Sequence, residues 1–274
     1  MFPMKLAVLG SPISHSLSPA LHKAAFAELG LPHTFEAFDV NVDQFKTFFS
    51  DLDDQWLGLS ITMPLKEIAF DVATKVSHVA KQTGAINTLV LKDGVQADNT
   101  DVYGISKSLR NAGCTNPKTA TIIGSGATTR SAIAALAGLG VEGILIIARN
   151  AIKSATCIDL GNELGITIDS TTSIEDKFFA TDVTINATPV GVADDFVANL
   201  GLARGVLLDV VYNPWPTKLA TAWKAKGLTT IPGHQMLLNQ AVRQVELFTG
   251  QIPDVQIMQE AMFSEMKARG QQID

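Results

Sequence analysis

Residues 119–140, TATIIGSGATTRSAIAALAGLG, constrain this chain more than any other stretch. The β-branched run Thr121, Ile122, Ile123 stops at Gly124, and Gly126 follows two residues later. Good helix formers then continue from about residue 128 to 139. A buried strand, a glycine turn and a helix in that order let a backbone approach a pyrophosphate, with the helix's free N–H groups facing the anion. The third glycine position of the usual fingerprint holds Thr129. By itself the pattern also fits a plain turn between a strand and a helix.

A second apolar run, residues 144–147, reads as the next parallel strand and ends in Ala148, Arg149, Asn150. An acidic residue at the end of this strand suits a ribose 2′-hydroxyl, and a basic one suits a 2′-phosphate. Arg149 can fork onto a phosphate, and Lys153 can add a point charge. The missing carboxylate points to NADP over NAD. The plainer alternative is a pair of solvated cations at a strand end.

The rest of the composition narrows the class. With 274 residues, 46% hydrophobic and 18% charged, the chain has the balance of a soluble globular protein of one large or two modest domains. A net charge of −6 argues against a nucleic-acid surface. No signal-like or membrane-length apolar segment stands out, so a cytoplasmic protein with no membrane partner is expected. Cys114 and Cys157 form neither a disulfide framework nor a metal-ligand spacing, and no metal is expected.

Taken in order, residues 5–9 read as a strand that breaks at Gly10 into the loop SPISHSLSP. Pro19 suits the first turn of a helix, Ser18 its N-cap and Gly30 its stop. Ser14 and Ser16 occupy a strand-to-helix loop, a common ligand position. Residues 58–62 form another strand, and Pro64 marks a helix start. Thr62 and Lys66 thus fall together at a strand's C-terminal end, the ligand side of open α/β sheets. Asp93-Gly94 signals a hairpin that brings Asn87 and Asp101 to one end. Strands over residues 183–186, 206–211 and 229–231, with a helix near 217–226, continue the alternation of a parallel sheet. The loops NATPVG and YNPWP sit at strand ends. After Gly233 the pattern is helical: Leu237, Ala241, Val245 and Phe248 share one face, and Gln240 and Gln244 a neighbouring one. Residues 170–179 have no assignment.

In their order, GSPISHSLSP, SITMPLK, GAINTLV, ADNTD, the glycine turn, NATPVG, DVVYNPWPT and GHQMLLNQA resemble the shikimate dehydrogenase family of the bacterial biosynthetic type. The SITMP, YNPWPT and QMLLNQ wording is similar to its actinobacterial branch. The resemblance implies an α/β fold with two domains around a cleft. Residues 1–103 with 234–274 would bind substrate, and residues 104–233 would form a Rossmann-like NADP-binding domain. The reaction implied is reversible NADPH-dependent reduction of 3-dehydroshikimate to shikimate, a step of aromatic amino acid biosynthesis. Matched residue by residue, Lys66 and Asp101 would be the catalytic pair. Ser16 and Ser18, with Tyr212, would bind the substrate carboxylate, and Thr62, Asn87, Asp101 and Gln240 would surround the ring hydroxyls. Gly124, Ser125, Gly126, Ala127, Thr128, Arg149, Lys153, Thr188 and Gly233 would hold NADP(H). A monomer or homodimer is expected.

The chain departs from the family wording at three places. Ser60 stands where asparagine is common, which leaves one expected substrate contact open. GSGATT replaces a GAGGAS-like turn, and ARNAIK replaces NRTxxR or NRTxxK while keeping basic residues at 149 and 153. Three other readings remain: an NAD-dependent quinate/shikimate dehydrogenase, whose relatives tend to carry an acidic residue near Arg149's position, a non-catalytic NADP-binding sensor, which could dispense with Lys66 or Asp101, and a relative working on another cyclic hydroxy acid, such as an aminoshikimate.

Overall fold

The computed structural model describes residues 2–273. It divides into two units, one running up to Thr100 and resuming over Leu238–Gly270, the other built on Asp101–Leu237.

The first unit begins β1 (Lys5–Gly10), α1 (Ser18–Glu28), β2 (Thr34–Asp39), α2 (Val42–Ser50), β3 (Trp56–Ile61), β4 (Lys75–Val76), α3 (His78–Thr83), β5 (Thr88–Val90) and β6 (Gln96–Asp98). Its sheet runs β2-β1-β3-β5-β6-β4. β1 is parallel to both β2 and β3, whereas β5 is antiparallel to β3 and to β6. The hairpin follows from its turn: Asp93 and Gly94 both have positive φ, 56° and 95°, the conformation that matches strand twist in a tight reversal. Leu9, Phe45, Leu59, Ile61 and Leu89 fill the core on this sheet.

The second unit continues with α4 (Asp101–Asn111), β7 (Thr119–Ile123), α5 (Ala127–Ala137), β8 (Gly143–Ile147), α6 (Ala151–Leu164), β9 (Thr167–Thr171), β10 (Val183–Asn186), β11 (Val206–Asp209), α7 (Lys218–Ala225) and β12 (Thr230–Pro232). All its strands are parallel, in the order β12-β11-β10-β7-β8-β9. That is the doubly wound order, with its switch point between β7 and β10. Neighbouring residues serve opposite faces: Ile122, Ile146 and Leu208 join one cluster, while Ile123, Ile147 and Leu207 join another with Phe179, Trp215 and Trp223. Burial on both faces explains why these strands are continuous apolar runs and not alternating ones. The unassigned segment 170–179 ends β9 and then forms a short 3-10 turn, Asp176–Phe179, which buries Phe179 edge-on against Trp223.

The chain closes with α8 (Gly233–Thr249) and α9 (Val255–Ala268). α9 packs on α1 and buries Met258, Met262 and Met266, spaced four apart on one face. Among the described residues, no helix is long and apolar enough to cross a membrane.

Two local expectations are corrected. Ser18 does not cap α1. It is the first helical residue, and its N–H donates to Ser16 Oγ at 3.3 Å. Pro64 does not start a helix either. Residues 63–67 form turns, and only a 3-10 stretch, Ile68–Val72, follows. Lys66 is therefore held in a turn, its carbonyl accepting from Ile86 N at 2.8 Å.

Candidate active site

In the first unit, strand pairing brings the predicted polar residues to one sheet edge. β1 and β3 run parallel and end together, and the Thr62 N–H donates to Leu9 O at 2.9 Å. Because β5 runs the other way, its start lies beside the end of β3, with Ile61 N donating to Asn87 O at 2.7 Å. The serine loop, Thr62, Lys66 and Asn87 thus share this edge. Gly10 makes the approach possible: a Cβ there would stand 2.3 Å from Thr62 Cγ2 and 2.7 Å from Met63 O. Thr62, Lys66 and Ser16 are half-buried, and Ser18 and Asn87 are buried.

α8 completes the cluster. Asn87 Nδ2 donates to Thr100 Oγ1 at 2.9 Å and to Gln240 Oε1 at 3.3 Å. Asn87 Oδ1 accepts from Thr100 N and from Thr88 Oγ1, both at 2.8 Å. One turn on, Gln244 Nε2 donates to Asn87 O at 2.9 Å and Thr88 Oγ1 at 3.0 Å, and its Oε1 accepts from Ser60 Oγ at 2.8 Å. Ser60 is buried, and its hydroxyl is engaged inside the protein.

Behind the serine loop, His22 is fully buried and stacks on Phe35 with ring centroids 4.0 Å apart. Its Nδ1 lies 2.9 Å from Ser18 O. A carbonyl only accepts, so Nδ1 carries the proton, and Nε2 is left without a partner of hydrogen-bond geometry. Burial lowers the His22 pKa to about 4, against smaller opposing effects of Ser18 O and the nearby Gln244. From the C-cap of α9, Arg269 reaches the loop backbone, donating to Ser14 O at 3.4 Å and Ser16 O at 3.3 Å, while Glu265 accepts from its Nε at 2.7 Å.

In the second unit, the predicted turn leaves β7 at Gly124, whose φ is +114°. A Cβ here would meet Ala187 O at 3.2 Å and Thr188 Cγ2 at 3.3 Å, across the switch point. Gly126 caps α5 without any side-chain hydrogen bond, so the N–H groups of the first turn remain for an anion. Ser125 is buried, and Ala127 and Thr128 are half-buried. Arg149 and Lys153 are exposed at the end of β8, flanking Asn150, which caps α6 by accepting from Lys153 N at 3.0 Å. This cradle and its cations fit a dinucleotide bearing a 2′-phosphate.

On the other side of β7, the loops rest on one carboxylate. Asp209 is buried at the end of β11 and accepts from Asn186 Nδ2 at 2.9 Å, Val211 N at 3.1 Å and Thr217 Oγ1 at 2.7 Å. Asn186 Oδ1 in turn accepts from Thr188 Oγ1 at 2.6 Å and Thr188 N at 3.2 Å. Burial raises the Asp209 pKa. The three donors oppose that shift, and the nearby Asp194 charge adds to it. Gly233 begins α8 close to β11: a Cβ there would lie 2.1 Å from Val210 O. Tyr212 is half-buried just beyond β11, and Asp101 is buried as the first residue of α4.

Of the predicted site residues, Ser16, Ser18, Thr62, Lys66, Asn87 and Gln240 fall in the first unit, and Asp101, Tyr212 and the cofactor set in the second. Sequence reasoning gave no role to Ser60, Thr88, Thr100, Gln244, His22, Arg269 or Asp209. Only Gln244 left a legible signal, its spacing of four from Gln240.

Two family models match the chain, the shikimate dehydrogenase substrate binding domain over residues 8–89 and the shikimate 5'-dehydrogenase C-terminal domain over residues 233–263. A relative from Mesorhizobium japonicum, shikimate dehydrogenase (NADP(+)), is 34% identical over 263 residues, 92% of each chain. Among solved structures, Mycobacterium tuberculosis shikimate dehydrogenase is 38% identical with a TM-score of 0.88, covering 96% of this chain and 100% of its own. The Thermus thermophilus shikimate 5-dehydrogenase in complex with NADP(H) and shikimate is 30% identical with a TM-score of 0.83, covering 95% of this chain and 99% of its own.

Proposed function

The chain belongs to the shikimate dehydrogenase family, NADP-dependent oxidoreductases that interconvert 3-dehydroshikimate and shikimate, and we propose that it divides this work between its two units. The first unit binds the substrate and the second binds NADP(H). The observation that supports these roles is the common edge of the first sheet, which carries the serine loop, Thr62, Lys66 and Asn87.

Bound NADPH supplies the hydride. The protein must then stabilise the oxyanion formed at the former ketone and give it a proton. Lys66 offers a cation and a proton, and Asp101 is the carboxylate that orients it. Ser16 and Ser18, with Tyr212, bind the substrate carboxylate. Thr62, Asn87 and Gln240 engage the ring hydroxyls. The 3.3 Å bond from Asn87 Nδ2 to Gln240 is longer than its 2.9 Å bond to Thr100 Oγ1 and is the one a ring hydroxyl replaces. Gly124, Ser125, Gly126, Ala127 and Thr128 cradle the pyrophosphate, Arg149 and Lys153 take the 2′-phosphate, and Thr188 and Gly233 border the nicotinamide side. The enzyme works in the cytoplasm as a monomer or homodimer.

Initial rates of shikimate oxidation with NADP, repeated with NAD and with quinate, test the reading. Shikimate with NADP is expected to dominate, and Arg149→Ala should cut the preference for NADP over NAD by about tenfold. Preference for NAD in the wild type would remove the 2′-phosphate role. A protein that binds NADP yet oxidises neither acid would be a sensor.

A further inference from the structure

We propose that Arg269 is a positioning residue for the serine loop: its guanidinium holds the carbonyls of Ser14 and Ser16, so that the loop meets the substrate carboxylate with hydroxyls and not with carbonyl oxygens. The proposal rests on the carboxylate-binding role given above to Ser16 and Ser18.

A loop that binds an anion must turn its carbonyl oxygens, which carry partial negative charge, away from it. In this loop those oxygens have partners inside the protein. Ile13 O accepts from Ser16 N at 2.9 Å, and Leu17 O accepts from Leu21 N at 3.2 Å. Both bonds are local, one closing the turn before α1 and the other opening the helix. Ser14 O and Ser16 O instead take their donors from the far end of the chain. Arg269 Nη1 reaches Ser14 O at 3.4 Å, and Nη2 reaches Ser16 O at 3.3 Å. Each bond is long, but the two come from one rigid group and fix carbonyls two residues apart. The Ser18 N–H donates to Ser16 Oγ at 3.3 Å, so that hydroxyl already accepts and its proton suits a carboxylate oxygen.

Arginine suits this task. A guanidinium carries several donors in one plane and no acceptor, so a single side chain can serve two carbonyls and stays charged at any working pH. Glu265, one helical turn earlier, accepts from Arg269 Nε at 2.7 Å, and the two terminal nitrogens go to the loop. The helix that carries the fork is itself anchored. Met258, Met262 and Met266 are fully buried, α9 packs on α1, and α1 begins at Ser18. The loop, α1 and α9 belong to one unit. Because Glu265 pairs with the arginine at a partly exposed position, the effect is one of placement more than of long-range attraction.

The test measures oxidation of shikimate, and of the ring analogue with a hydroxymethyl group in place of the carboxylate, by the wild type, Arg269→Ala, Arg269→Lys and Glu265→Ala. Both side chains are partly exposed, so these variants should fold. Arg269→Ala should raise KM for shikimate about fivefold with little change in kcat or in KM for NADP. The analogue lacks the group that the serines bind, so its kcat/KM should stay within about twofold of wild type and the preference for shikimate should fall about fivefold. Arg269→Lys keeps the charge without the fork and should recover only part of the loss. Glu265→Ala should move KM the same way, by about twofold. A loss of thermal stability with wild-type KM, or an equal fall in kcat/KM for both compounds, would reduce Arg269 to a structural role and overturn the proposal. Full recovery in Arg269→Lys would show that charge alone acts and would overturn it too. A wild type that oxidises the analogue as well as shikimate, or oxidises neither, would bring down the substrate reading itself, and the proposal with it.

Discussion

The two units hold their loops by opposite means. In the first, a neutral amide, Gln244, ties Asn87, Thr88 and Ser60 together, and every group in the chain of donors is uncharged. In the second, the ionisable Asp209 gathers three donors from the end of β10, the segment after β11 and the N-cap of α7. The amide network ties α8 to β3 and to the start of β5, beside the side chains proposed to meet the ring. The carboxylate fixes backbone loops beside a glycine turn, where the fold presents N–H groups more than side chains. A buried neutral network costs little desolvation but must be complete, whereas a buried carboxylate binds its donors strongly and is costly to leave unpaired.

The largest effect should fall on the residue proposed to supply the proton. Lys66→Ala is expected to lower kcat about 1,000-fold while the dissociation constant for shikimate changes little. Turnover within a few-fold of wild type would remove Lys66 from the reaction and leave the first unit a binding module only. Next comes the carboxylate. Asp209→Ala leaves Asn186 Nδ2, Val211 N and Thr217 Oγ1 without their acceptor, and should cost about 3 kcal/mol in urea denaturation together with weaker NADP binding. A loss below about 1 kcal/mol would mean that the two anchors do not differ as described.

The smallest effect concerns pH. The His22 pKa is about 4 in the fold, below its usual 6.5, so the unfolded chain takes up the proton first as pH falls. Stability is therefore lost between about pH 6.5 and 4, by on the order of 2 kcal/mol at pH 5. His22→Gln, which does not titrate, should lose about that much less than wild type between pH 7 and pH 5. Equal losses would show that His22 does not couple the serine loop to protons.

The glycine turn, the hairpin at Asp93-Gly94 and the parallel strands of the second unit were legible because each depends on local chemistry: positive φ, β-branched runs and helix formers in sequence. Ser16, Ser18, Lys66, Asn87 and Gln240 were picked out by motif, and the structure places them in one unit. The helix start at Pro64 was misread because a proline suits a turn as well as a first helical turn, and contacts from Ile86 decided between them. His22 looked like any other residue of an early helix, and Asp209 like a strand end. Sequence alone determined most of the strands and turns and which side chains could do chemistry. Tertiary structure decided what holds those side chains in place, because their hydrogen-bond partners lie far along the chain, as Gln244 does from Ser60 and Asn87 and Arg269 from Ser14 and Ser16, and meet them only once the sheet and helices have packed.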